Sequence, residues 1–106
     1  MKHVAFFGDS ERTFALPPEL IAILERKTGV GIGALCQRVF DNKFALADIV
    51  ETIRFGLIGG DTPPLEADAL VAAFVAKRPF AETFPIAVAI LEIVWFGSIT
   101  KLDPPT

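Results

Sequence analysis

The chain is short of most of what catalysis and metal binding require. Its 106 residues include one cysteine, one histidine and no tyrosine. With Cys36 alone no internal disulfide can form, a reducing compartment fits, and one thiol cannot build a zinc site. His3 lies near the terminus with no cysteine or second histidine beside it. Neither a metal cluster nor a Ser/His or Cys/His relay can be assembled from it unless it reaches across the fold. Cations are scarce and scattered. The largest runs are the pairs Arg26-Lys27 and Lys77-Arg78, within a net charge of −3. A duplex-binding surface needs several cations on one face, so nucleic acid is not an expected partner. Long apolar runs are missing as well. None exceeds eight residues, the length of Phe84 to Leu91, where a membrane-spanning helix needs about 20. Met1-Lys2-His3-Val4 opens no apolar run of signal-peptide length. The expected location is therefore the cytoplasm, with no membrane partner.

What is present is enough for a core. Apolar residues make up 52% of the chain and ten of them are Phe, a composition that disordered chains do not have. The length suits one domain, 1–106, able to bury a core without disulfides or metals.

The pattern predicts a mainly α (α+β) fold, a hairpin at about 3–16 packed on about five short helices over about 17–97, with a frayed tail at 98–106. His3 to Phe7 is aromatic and β-branched, as strands prefer. Gly8-Asp9-Ser10 is a turn cluster, and Arg12 to Leu16 returns with Phe14 and Leu16 on one face. Two strands alone are barely stable in water, so this hairpin must lean on the helices. Pro17-Pro18 opens a first helix, with Leu20, Ile21, Ile23 and Leu24 as its stripe. Glu19 and Arg26-Lys27 match its dipole, and Gly29 ends it. Ile32, Leu35, Cys36, Val39 and Phe40 follow one-sided helical spacing.

A third helix is predicted over about Ala47 to Ile58, with Leu46, Ile49, Val50, Ile53 and Leu57 inward, Asp48, Glu51 and Arg54 off the stripe, and Gly59-Gly60 as its stop. Thr62 reads as an N-cap with Pro63 as first helical residue, opening a fourth helix to about Ala76 with Leu70, Ala73 and Phe74 inward. A fifth starts near Pro79 or Pro85, with a kink or fresh start expected at Pro85. From Ile86 to Phe96 only Glu92 is polar. A helix apolar all round is either a central core element or an interface element.

The residues that invite chemical readings have simpler ones. Cys36 falls on an apolar stripe, where a structural thiol is expected rather than a nucleophile. Gly29-Val30-Gly31-Ile32-Gly33 lacks the Gly-Lys-Ser/Thr ending of a phosphate loop and does not follow a strand, so it reads as a helix cap and a turn. Glu92 can mark the solvent-facing point of the last helix or pair with Arg54 or Arg78. With no nucleophile–base set, the chain reads as a non-enzyme with no catalytic residue, cofactor or metal. The candidate protein-interface residues are Phe84, Ile90, Ile93, Val94, Trp95 and Phe96. Trp95 and Phe96 are the natural anchors, since tryptophan dominates binding hot spots. Were that last helix exposed, it would also predict a homo-oligomer.

An ordered set of short strings runs through nearly the whole chain. It comprises Gly8-Asp9, Arg12-Thr13-Phe14, Glu19-Leu20, Leu24-Glu25, Thr28-Gly29-Val30-Gly31-Ile32, Ile53 to Gly60, Pro64-Leu65-Glu66-Ala67, Leu70-Val71, Arg78-Pro79, and Ile90-Leu91 through Trp95-Phe96-Gly97. In this order they resemble the small tail proteins of phage-derived gene transfer agents. The resemblance departs at Asp61, where the family often has Gly or another small residue, and at Ala45, where it often has Ser or Thr. It implies a part in building a siphophage-like tail. Proteins of this kind are described as tail-assembly chaperones and are also labelled tail tube proteins. A chaperone of this type would coat the tape-measure protein and hand tail tube subunits to it, whereas a tube subunit would stay in the particle. The resemblance carries no catalytic residue and no cofactor.

Overall fold

The computed structural model describes residues 2–97; the frayed tail expected at 98–106 lies outside the described residues. Two strands, β1 (His3–Phe7) and β2 (Ser10–Phe14), form an antiparallel hairpin. Its register runs from His3 opposite Phe14 to Phe7 opposite Ser10. That leaves Gly8-Asp9 as a two-residue loop, and Gly8 takes the positive φ of 68° that a tight hairpin asks of its first loop position. Side-chain alternation turns Phe7 and Phe14 inward, where both are buried. The return strand starts and ends two residues earlier than the sequence pattern suggests, but Leu16 beyond it is still buried.

Five helices follow. α1 (Pro18–Thr28) has proline in its first turn, Glu19 near its start, Arg26 and Lys27 near its end, and Gly29 as a left-handed cap. Leu24 is its buried anchor. α2 (Ile32–Phe40) buries Leu35, Cys36 and Val39, which are members of its predicted stripe. The glycine-rich corner between α1 and α2 is closed by Glu25, whose Oε2 accepts the Ile32 N–H at 2.8 Å. A carboxylate of the chain itself thus occupies the anion-favouring start of α2.

α3 (Leu46–Gly59) is the hub; α1, α2, α4, α5 and β2 all pack on it. From Thr52 to Leu57 every residue except Arg54 is buried. Its first turn differs from the predicted stripe. Leu46 is 55% exposed, while Asp48, expected off the stripe, is buried at 1%. The reason is polar. Asp48 Oδ2 accepts the Ala45 N–H at 2.8 Å, and its Oδ1 accepts from Arg38 Nη2 of α2 at 2.7 Å. The carboxylate caps its own helix and ties it to the next one.

The other end of α3 holds the hairpin. Ala15 N–H donates to the Gly56 carbonyl at 3.0 Å. A Cβ on Gly59 would stand 1.9 Å from the Ala15 carbonyl oxygen, and one on Gly60 would stand 1.8 Å from that of Thr13. Gly59-Gly60 therefore does more than end a helix. It is the bare backbone on which the hairpin lies, and the left-handed residue is the following Asp61, at φ 80°.

α4 (Pro64–Phe74) is capped by Pro63 with Pro64 in its first turn. Thr62 is not the cap. It is buried, and its N–H donates to the Leu57 carbonyl at 3.0 Å, within the corner between the helices. The helix ends at Phe74 rather than near Ala76. Leu70 and Val71 are buried and Phe74 half-buried, but Ala73, expected inward, is exposed.

α5 (Phe80–Phe96) is one continuous helix with Pro85 inside it; no new helix starts at Pro85. The missing N–H of Pro85 deprives the Ala81 carbonyl of its helical donor. Ala81 and Pro85 both lie on the exposed side, where water can take that place. The first turn is already loose, with Thr83 N–H reaching the Pro79 carbonyl at 3.4 Å.

Candidate docking face on the last helix

α5 is apolar almost all the way round, yet α3 holds the centre of the core. One side of α5 is consequently covered and the other is not. Thr83, Ala87, Ile90, Leu91 and Ile93 are buried. Ile90 presses on α3, its Cδ1 2.9 Å from where a Cβ on Gly56 would stand. Two of the candidate interface residues are thereby corrected. Ile90 and Ile93 are 2% and 5% exposed, already used by the chain's own core, and cannot meet a partner.

Phe84 and Val94 are half-buried. The Phe84 ring stacks on Phe44, centroids 5.2 Å apart, and Phe44 meets Phe80 edge-on at 5.4 Å. Trp95 and Phe96 remain 56% and 53% exposed, with Phe80 at 46% near the other end of the helix. So large an aromatic surface is unusual for residues that dominate cores and interfaces.

Trp95 and Phe96 form one wall of a groove of about 250 Å³ whose other wall is α2, through Gly33, Cys36, Gln37, Phe40 and Asp41. The α2 side was not among the sequence candidates. Phe40 was legible only as the last member of a core stripe, and its nearness to Trp95 is tertiary. The groove is smaller than the range of about 300–1,000 Å³ usual for small-molecule sites. It has room for one or two side chains.

Charge near this face is sparse and acidic. Among the described residues, Asp41 is the one charged residue lining the groove. Glu92, three and four residues before Trp95 and Phe96, is half-buried, and its Oε1 has no hydrogen-bond partner among the described residues. Neither predicted arginine reaches it. Arg54 holds Glu51 and Asp68, at 2.8 and 3.2 Å, and Arg78 holds Glu82 at 2.9 Å.

Of the remaining chemical candidates, Cys36 lies in the groove's α2 wall and His3 lies in the hairpin. Cys36 is buried, and burial pushes its thiol up to about 11, so it is protonated and shielded at neutral pH. His3 sits 6.3 Å from the Phe14 ring, and desolvation lowers its pKa, favouring the neutral imidazole. Among the described residues, no group of three or more His, Cys, Asp or Glu side chains converges as metal ligands. Within those residues no helix is long and apolar enough to cross a membrane.

A hairpin laid on a five-helix body, with exposed aromatic residues on the last helix, defines a small α+β protein. The chain belongs to the phage tail tube protein family GTA-gp10, whose family model matches residues 1–97. Membership gives it a tail-related role in a gene transfer agent or related phage-like particle. No curated protein and no solved structure matches it.

Proposed function

We propose that this chain is a non-enzymatic tail-assembly chaperone, which covers apolar helices of the tape-measure protein and brings tail tube subunits to it. The observation that carries this reading is the bare side of α5. The helix holds one buried face against α3 and leaves Trp95 and Phe96 exposed along a groove sized for side chains, with Phe80 exposed near its other end. An amphipathic helix laid along such a groove, with one or two apolar anchors inserted, is a common mode of peptide capture. An α-rich fold also favours a chaperone over a tube subunit, since tube subunits are usually β-rich. In this reading the protein works in the cytoplasm, at assembling particles, without cofactor or metal.

The test is co-purification with the neighbouring tape-measure and tube proteins at several salt concentrations, for the natural chain and for Trp95→Ala with Phe96→Ala. Capture by the natural chain and its loss in the variant support the proposal. No association of the natural chain under any of the conditions counts decisively against it.

A second reading follows from the family's own description as a tail tube protein: the chain stays in the particle as a structural subunit. Mass spectrometry of purified particles separates the two. A chaperone is absent or present in traces, whereas a tube subunit is present in many copies.

A further inference from the structure

The hairpin presents a second surface, distinct from the Trp95–Phe96 groove although Phe6 and Phe7 share a small pocket with Glu82 and Ile86 in the first half of α5. Its two edges are treated differently. The outer edge of β2 is covered, because the carbonyls of Thr13 and Ala15 lie against the bare backbone of Gly60 and Gly59. The outer edge of β1 pairs with no strand among the described residues, where the sheet has two strands only.

The register fixes what that edge offers. With Phe7 and Ser10 closing a two-residue loop, the hydrogen-bonded pairs within the hairpin are Phe7 with Ser10, Ala5 with Arg12 and His3 with Phe14. Val4 and Phe6 therefore point their N–H and C=O groups outward, and neither makes a backbone hydrogen bond to another element among the described residues. Their side chains are exposed too, at 55% and 71%. Natural edge strands are guarded against pairing by lysine, proline, inward charge or a bulge. His3-Val4-Ala5-Phe6-Phe7 has none of these guards.

We infer that the outer edge of β1 pairs antiparallel with β1 of a second copy of this chain, making a four-stranded sheet across a two-fold axis at Ala5. The strand is complementary to itself in that register. Ala5 faces Ala5, and Val4 faces Phe6 of the other copy in both halves, so every outward N–H and C=O of Val4 and Phe6 finds a partner. The exposed apolar side chains meet side by side, and no charge within the strand opposes its like. Just beyond the strand, the same register sets Lys2 opposite Gly8 of the other copy, one residue from its Asp9. Both Lys2 and Asp9 are exposed, so the axis yields two opposite-charge pairs. A sheet of four strands also relieves the weakness of an isolated hairpin.

The test measures solution mass against concentration for the full chain, three β1 variants and Trp95→Ala. Val4→Pro removes an outward N–H and leaves the hairpin's own bonds intact, as proline on an edge strand does. Phe6→Lys adds the missing guard. Because each change acts twice across the axis, each is expected to weaken the dimer on the order of tenfold or more, with helical circular dichroism and melting unchanged. Ala5→Cys is expected to give a disulfide-linked dimer on mild oxidation, while the natural chain, its Cys36 buried, gives none. A natural chain that stays monomeric at the highest soluble concentration overturns the inference. So does a dimer that survives Val4→Pro but is lost in Trp95→Ala, and so does a β1 edge that pairs only with a strand of another tail protein.

Discussion

α3 and α5 lie against each other, and both are rich in Ile, Leu, Val and Phe, but they meet different fates. α3 carries Asp48, Glu51, Thr52 and Arg54 and is nonetheless the buried hub; its one fully buried charge is tied to Arg38 and the Ala45 amide. α5 has fewer polar residues and is only half covered. Apolar content alone does not mark the centre of a fold. Position in the packing does, and α3 wins it because it touches the hairpin and every other helix. Apolar surface on α5 beyond what α3 can cover is surface left for something else.

The contrast can be broken at several points. The largest effect is expected at the end of α3. Gly60→Ala forces a Cβ to within 1.8 Å of the Thr13 carbonyl oxygen. The hairpin must lift or the corner must move, at a cost of about 3–5 kcal/mol in urea unfolding. Next comes Ile53→Ala, at a fully buried position, with an expected loss of about 3 kcal/mol by the same measurement.

Asp48→Ala removes the bond to Arg38 and the cap on Ala45 together, for about 2 kcal/mol. An Arg38→Ala, Asp48→Ala double-mutant cycle isolates the pair within that total. The smallest effect on stability is expected on the open side of α5. Trp95→Ala, at 56% exposure, should change the unfolding free energy by no more than about 0.5 kcal/mol. A loss near that of Ile53→Ala would show that Trp95 is a core residue after all and would erase the contrast.

Local punctuation was readable in the sequence because its physics is local. Pro18 at the first turn of α1, Gly29 at its end and the Leu35-Cys36-Val39 stripe of α2 depend on near neighbours only. The hairpin was readable from its turn residues. What failed depends on distant residues. Asp48 looks like a surface carboxylate until Arg38 arrives from another helix. Gly59-Gly60 reads as a stop because nothing in one strand of text reveals that Thr13 and Ala15 will lie upon it. Of the two starts open to α5, the one near Pro79 is the real one, and Pro85 sits inside the helix with Ala81 on its exposed side.

The docking face was half readable for a related reason. A helix apolar all round has no polar side to show which way it turns. The sequence therefore grouped Ile90 and Ile93 with Trp95 and Phe96, and only packing against Gly56 and its neighbours divides them. The groove's α2 wall, with Phe40 and Gln37, had no local signal at all.

The seat of the hairpin at Gly59-Gly60 also sets an order of events during synthesis. The first two strands leave the ribosome well before the backbone they rest on has been translated, and a lone pair of strands does not hold together in water. Until Gly60 emerges, the unguarded first strand has no fixed shape to offer a neighbouring nascent chain. The hairpin's stability is thereby tied to completion of the third helix, across the sequence distance between a turn and its dock.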